Sequence, residues 1–169
     1  MNSRTQLTLF VPPHQAQLIE SVREVLDPVQ SRLIAAHVTF AREDEVGAMG
    51  CEALERRLED LASVDLTLIF GEPQSFNGHG VLLPCIAGEQ DFQALRARVL
   101  GIHRNAGHRP HITLAHPRNP RASGNSSNNL AGMAHRTVVS FQKISIIMQE
   151  SGAPWRVLRE FSLHLHAPA

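Results

Sequence analysis

Two tetrapeptides carry residue types suited to acid-base chemistry, His37-Val38-Thr39-Phe40 and His111-Ile112-Thr113-Leu114, and both read histidine-apolar-threonine-apolar. In an extended strand successive side chains face opposite ways. Each His and Thr therefore share one face, and the two apolar residues point into a core. Composition alone yields such a tetrapeptide about 0.06 times in a chain of this length, and a pair about 0.002 times. Two imidazoles facing each other can take opposite roles, one neutral and accepting a proton, the other charged and donating one, because the unperturbed pKa is ~6.5. A threonine two residues on can donate its hydroxyl to a phosphate oxygen held between them. The pattern points to phosphoryl transfer without a metal. Two unrelated half-buried strands with satisfied histidines are the plain alternative.

The elements that must position these residues follow from periodicity. Gln6 to Val11 reads as a strand ended by Pro12-Pro13, and a helix runs from there to about Asp27 with an apolar stripe of Leu18, Ile19, Val22, Val25 and Leu26. Pro28 marks its end, and Arg32 to Ala41 is the strand of the first motif. Arg42-Glu43-Asp44-Glu45 reads as an exposed turn, with a carboxylate metal site as the alternative. A second helix then places Cys51, Leu54, Leu58 and Leu61 on one face.

Asp65 to Phe70 and Gly80 to Ile86 are strands around a turn-rich connection, and Glu89 to Leu100 is a helix stopped by Gly101. Arg109 to Ala115 carries the second motif. A loop-rich stretch over 117–136, with a weak helix around 128–134, precedes a hairpin of Ile144 to Gln149 and Trp155 to Leu163. The motif histidines are 74 positions apart (111 minus 37), and the strand-helix units before them share that offset. Strand, helix, motif strand thus occurs twice. This implies two related, pseudo-symmetric lobes, with the cleft between them holding His37 and Thr39 on one wall and His111 and Thr113 on the other.

Composition sets the bounds. At 169 residues the chain fits one two-lobed domain, and 43% hydrophobic content suits a globular protein. Lys+Arg and Asp+Glu both number 16, so there is no standing positive field for long nucleic acid, and few phosphates beyond the reacting one are expected to be engaged. Scattered basic residues, Arg104, Arg109, Arg118, Arg121 and Arg136, would gather beside the cleft only through folding. Cys51 and Cys85 sit in apolar patterns and read as buried thiols, which suits a reducing compartment. The N-terminus has no basic segment followed by an apolar run, and no stretch approaches the ~18 apolar residues of a membrane span, so a cytoplasmic protein is expected.

The paired motifs carry a resemblance to the two-histidine phosphoesterase superfamily, which includes the 2′,3′-cyclic phosphodiesterases and the bacterial 2′-5′ RNA ligases. It covers nearly the whole chain. Arg109-Pro110-His111-Ile112-Thr113-Leu114-Ala115 resembles the family's second motif with its preceding proline, Leu66 to Cys85 with Phe76 its middle segment, and Ile144 to Leu163 its closing hairpin. The resemblance implies two α+β lobes with sheets lining a cleft and helices outside. It also implies opening of a nucleoside or RNA-terminal 2′,3′-cyclic phosphate, or the making and breaking of a 2′-5′ linkage. His37 and His111 would be the acid-base pair, in unassigned order, and Thr39 and Thr113 the phosphate donors. The chain departs from the pattern in having Trp155 where tyrosine is common, and Arg42-Glu43-Asp44-Glu45 where a leucine-rich stretch often follows the first motif.

Other candidates follow from position. Arg109 shares the parity of His111, so it faces either the anion or solvent at a strand end. Phe10, Phe76, Trp155 and Phe161 can stack a base or fill core, and Phe76 and Trp155 join Arg109 as the candidate substrate contacts. Lys143, Ser145 and Gln149 alternate onto one face. His164 and His166 have the spacing of two strand ligands but no recognisable third, so no metal and no cofactor is called for. The expected partner is a small nucleotide or RNA end, with no membrane and no stable protein partner. Two other function classes compete: a nucleotide- or RNA-end-binding module without turnover, and a metal-dependent hydrolase using some of the ten histidines.

Overall fold

A computed structural model describes residues 3–118, 130, 133 and 136–164. β1 (Ser3–Phe10) leads through α1 (Pro13–Leu26) and α2 (Pro28–Leu33) to β2 (His37–Ala41), followed by α3 (Glu43–Met49) and α4 (Cys51–Glu59). β3 (Leu66–Phe70), β4 (Gln74–Phe76) and β5 (Gly80–Ala87) precede α5 (Glu89–Leu100) and β6 (His111–Ala115). β7 (Thr137–Phe141), β8 (Lys143–Glu150) and β9 (Arg156–Ser162) complete the α+β architecture.

The described strands form one antiparallel sheet in the order β7-β3-β5-β6-β2-β1-β8-β9, with β4 on β5. The two lobes are its halves. They meet where β2 pairs β6 at Val38↔Ile112, the motif strands lying side by side. The 74-residue offset is written into the register. Leu7↔Ala41, Thr8↔Thr39, Leu9↔Val38 and Phe10↔His37 become Val81↔Ala115, Leu82↔Thr113, Leu83↔Ile112 and Pro84↔His111, and the irregularity after the first pair recurs. One contiguous core unites Leu7, Leu9, Val38, Phe40, Ile112 and Leu114 of the sheet with Ile19 and Leu26 of α1 and Phe92, Leu95 and Val99 of α5. Strand alternation leaves His37, Thr39, His111 and Thr113 half-buried on the opposite face. Among the described residues, no helix is long and apolar enough to cross a membrane.

Several local expectations change. Pro28 opens a helix rather than following one. The Asp27 carboxylate accepts from Gln30 N at 3.1 Å, Pro28 occupies the first turn, and β2 starts at His37 instead of Arg32. Arg42 to Glu45 is not an exposed turn, because the Arg42 N–H donates to the Glu45 carboxylate at 2.9 Å and starts α3. Gly50, at φ 83°, then separates α3 from α4 where one helix was expected. Cys51 lands on the first, exposed turn of α4, and Cys85 is half-buried on β5; both are free thiols, not the buried ones expected. Leu18 and Val25 of the α1 stripe face outward, since only Ala16, Ile19, Val22, Arg23 and Leu26 reach the core side. β4 and β7 are strands that periodicity did not single out; they pair β5 and β3. Most of the helix expected over 128–134, together with Arg121 and His166, lies outside the described residues.

Candidate active site

His37, Thr39, His111 and Thr113 all line one cleft of about 480 Å³. The histidines are held alike. His37 Nδ1 lies 2.8 Å from the Ala35 carbonyl, and His111 Nδ1 lies 3.0 Å from the Arg109 carbonyl, in each case two residues back along the chain. A carbonyl only accepts, so each Nδ1 carries the proton and each Nε2 is left with its lone pair in the neutral ring. Burial pulls the His37 pKa from 6.5 down to about 4. The Ala35 carbonyl opposes this shift, while Arg23 and His111 add to it. His37 therefore stands neutral at neutral pH, ready to accept a proton.

The seam between the motif strands has few backbone ties, and side chains fasten it from both ends. Arg23 on α1 is buried, donates to the Ile34 carbonyl at 2.8 Å and pairs with Glu20 at 2.6 Å, while Glu20 also accepts from the Ala36 N–H. That clamp sets the three residues before His37. At the other end of the second motif, the His116 N–H donates to the Asp27 carboxylate at 2.9 Å.

A third histidine bridges the seam itself. His108 Nε2–H donates to the Thr39 carbonyl at 2.8 Å, and its ring packs 6.5 Å from His111 and 6.2 Å from Phe92. Burial holds its pKa below the usual histidine range, against the pull of the Thr39 carbonyl. The segment before it is anchored by a fully buried ion pair. Arg96 of α5 donates to both Glu45 oxygens, to the Phe40 carbonyl and to the Asn105 carbonyl at 2.9 Å, and the Asn105 N–H donates to Glu45 at 2.5 Å. Burial alone would raise the Glu45 pKa, but hydrogen bonds from Arg96, Asn105 and Arg42 outweigh it and hold the carboxyl below its usual value. The expected charged turn is thus the support of the second motif strand.

The remaining candidates divide. Phe76 lines the cleft with its ring 6.3 Å from His111, and Trp155 lines it beneath the Arg4 guanidinium, 5.2 Å from the indole centroid. Arg109 does not line it. The Arg109 side chain is 75% exposed and forks onto Glu89 at 2.9 and 3.1 Å, because Glu89 at the start of α5 offers a carboxylate on the outer side. Phe10 sets its edge toward His37 at 6.2 Å from outside the cleft lining, and Phe161 is buried under Arg159. Ser145 and Gln149 are buried and Lys143 is exposed on Glu160, while His164 meets Asp65 at 3.2 Å. Among the described residues, no group of three His, Cys, Asp or Glu is placed to hold a metal ion.

Motif reading missed Arg4, Gln6, Arg23 and His116, which line the cleft, while Arg118, one of the scattered basic residues named from the sequence, does line it. Arg4 and Gln6 share the parity of Thr8, which pairs Thr39, so the repeat register was the signal that could have found them.

Nearly the whole chain superposes on several solved structures. Against E. coli LigT complexed with 3′-AMP the TM-score is 0.61, covering 98% of this chain and 100% of the other at 17% identity. The chain has the LigT-like fold. A structure described only as a phosphoesterase gives 0.62 at 16% identity over 97% of this chain and 100% of that one. TT0787 of Thermus thermophilus gives 0.53 at 19% identity over 96% and 100%. No protein-family model matches the sequence, and no curated protein matches it either. In the LigT-like fold of this chain the two motifs occupy the middle of the sheet, where its halves meet.

Proposed function

We propose that this protein is a phosphodiesterase of the two-histidine class that opens a nucleoside or RNA-terminal 2′,3′-cyclic phosphate, or cleaves the related 2′-5′ linkage. The observation that carries this reading is the matched tethering of His37 and His111. Both Nδ1 protons are committed to carbonyls two residues back, which frees both Nε2 atoms in a cleft that also holds Thr39 and Thr113.

His37, kept neutral by burial, takes the role of base. Its Nε2 accepts a proton from water as the water oxygen bonds to phosphorus. The bond from phosphorus to one ribose oxygen breaks on the opposite side, and protonated His111 delivers its Nε2 proton to that oxygen. Both histidines are restored when the protons re-equilibrate with solvent. The threonine hydroxyls donate to the non-bridging oxygens as charge builds on them. The chain's own groups suffice for each step, so turnover persists in excess chelator.

Incubation with the four nucleoside 2′,3′-cyclic phosphates, with products assigned by phosphorus NMR, tests the reading directly. His37→Ala and His111→Ala should each lower kcat by ~10²–10⁴, and the double variant should be little worse than either, since the pair acts as a unit. Thr39→Ala and Thr113→Ala should each cost about 2–4 kcal/mol of transition-state stabilisation. Near-native turnover in either histidine variant refutes the mechanism.

A further inference from the structure

The chain's formal charge is balanced, yet the cleft is not. Among the described residues no aspartate or glutamate lines it, while Arg4, Arg23 and Arg118 do. Arg23 is committed to Glu20 and the Ile34 carbonyl, so Arg4 and Arg118 are the cations to account for.

Arg4 is built into place. Alternation from Thr8, the partner of Thr39, puts it on the cleft face of β1, about 14 Å along the strand at ~3.4 Å per residue. Its guanidinium donates to the Gln149 side-chain oxygen and lies over Trp155. Gln149 is only 3% exposed and spends its own amide N–H on the Ala153 carbonyl at 2.8 Å, and the Trp155 backbone N–H donates to the Leu33 carbonyl at 2.9 Å. A neutral amide and an indole thus fix this cation, and its carboxylate contact, with Glu43, is 4.0 Å long. Arg118 is set by the turn after β6, where its N–H donates to His116 Nδ1 at 3.1 Å and Asp27 pins the His116 N–H. The held Arg4 guanidinium and the Arg118 side chain, at a cleft with no lining carboxylate among the described residues, suit a bound phosphate, which the guanidinium fork matches.

We propose that Arg4 and Arg118 form a second anion subsite, which takes a phosphate on the 5′ side of the nucleotide whose terminal phosphate lies between His37 and His111. A terminal 2′,3′-phosphate leaves the 5′ oxygen as the place where an RNA chain continues, so the second phosphate is the 5′ one. The subsite rests on the phosphodiesterase reading above and narrows its substrate from a cyclic mononucleoside to an RNA end or a 5′-phosphorylated nucleotide.

Calorimetric titration with 3′-AMP, adenosine 3′,5′-bisphosphate and the dinucleotide ApAp tests this without requiring turnover. The bisphosphate should bind about tenfold or more tightly than 3′-AMP, the usual yield of a charge-assisted contact. Its log affinity should fall more steeply with log salt than that of 3′-AMP, because one more charge contact is screened. Arg4→Gln and Arg118→Gln should each shrink the affinity ratio toward one, with thermal melts confirming that the variants are folded. Tight ApAp binding identifies the chain phosphate of RNA as the occupant, and a gain confined to the bisphosphate identifies a free 5′-phosphate. Equal affinities for all three ligands overturn the subsite while leaving the nucleotide site standing. Failure of 3′-AMP and the bisphosphate alike to bind overturns both.

Discussion

Acidification from pH 7 to pH 5 should cost this protein stability through its buried histidines, and the share of His37 can be isolated. Its folded pKa of about 4 lies below the ordinary 6.5, so between those values the unfolded chain binds the proton that the folded chain refuses. Stability therefore falls as pH drops from about 6.5 towards 4, and above 6.5 the residue contributes nothing to the slope. The full shift corresponds to about 3 kcal/mol at ~1.36 kcal/mol per pKa unit, of which about 2 kcal/mol is already lost at pH 5. The charges acting on the ring, Arg23 and His111, both disfavour the imidazolium, and the edge of Phe10 packs against it. Urea unfolding of wild type and His37→Gln at pH 7 and pH 5 isolates the effect. Wild type should lose about 2 kcal/mol more than the variant over that interval, a difference of roughly 4–8 °C in Tm. The acid limb of the kcat/KM profile should lie near pH 4 for the same reason. Equal losses in both proteins, or a His37 titration near 6.5 by histidine NMR, would refute the argument that burial makes this ring the base.

Arg96→Met should destabilise the fold by about 3–5 kcal/mol, because it strands the buried Glu45 carboxylate, and adding Glu45→Gln should recover most of the loss. Urea midpoints measure both, and a loss below about 1 kcal/mol for the single variant would show that the pair supports little. His108→Phe keeps the packing against Phe92 but removes the donor to the Thr39 carbonyl, so kcat should fall about tenfold with KM little changed, and His108→Gln should restore much of it. Unaltered kcat in His108→Phe would remove His108 from any part in holding the motif strands.

The amino-acid sequence by itself determined the two motifs, the faces their residues take and the twofold arrangement of strand, helix and motif strand. These rest on alternation along a strand and on a constant 74-residue offset, and both are properties of the chain that survive into the register of β1 with β2 and β5 with β6. Helix ends at Leu26 and Leu100 were legible for a similar reason, since Pro28 and Gly101 act on their immediate neighbours. Pro28 was ambiguous because a proline that cannot continue one helix is equally suited to begin the next, and the deciding contact was the Asp27 cap.

Tertiary structure alone decided where charges go. Glu45 looked like part of a solvated run until Arg96, 51 residues later, supplied the partner that allows it to be buried. Strand parity puts Arg4 on the cleft face, but Gln149, 145 positions away, and Trp155 decide where its charge is held. Arg109, which strand parity placed as a candidate for the anion, was drawn to Glu89 instead. Apolar periodicity can be read locally because a core accepts any side chain of suitable size. A buried or directed charge requires one particular partner, and that partner lies wherever folding brings the chain back.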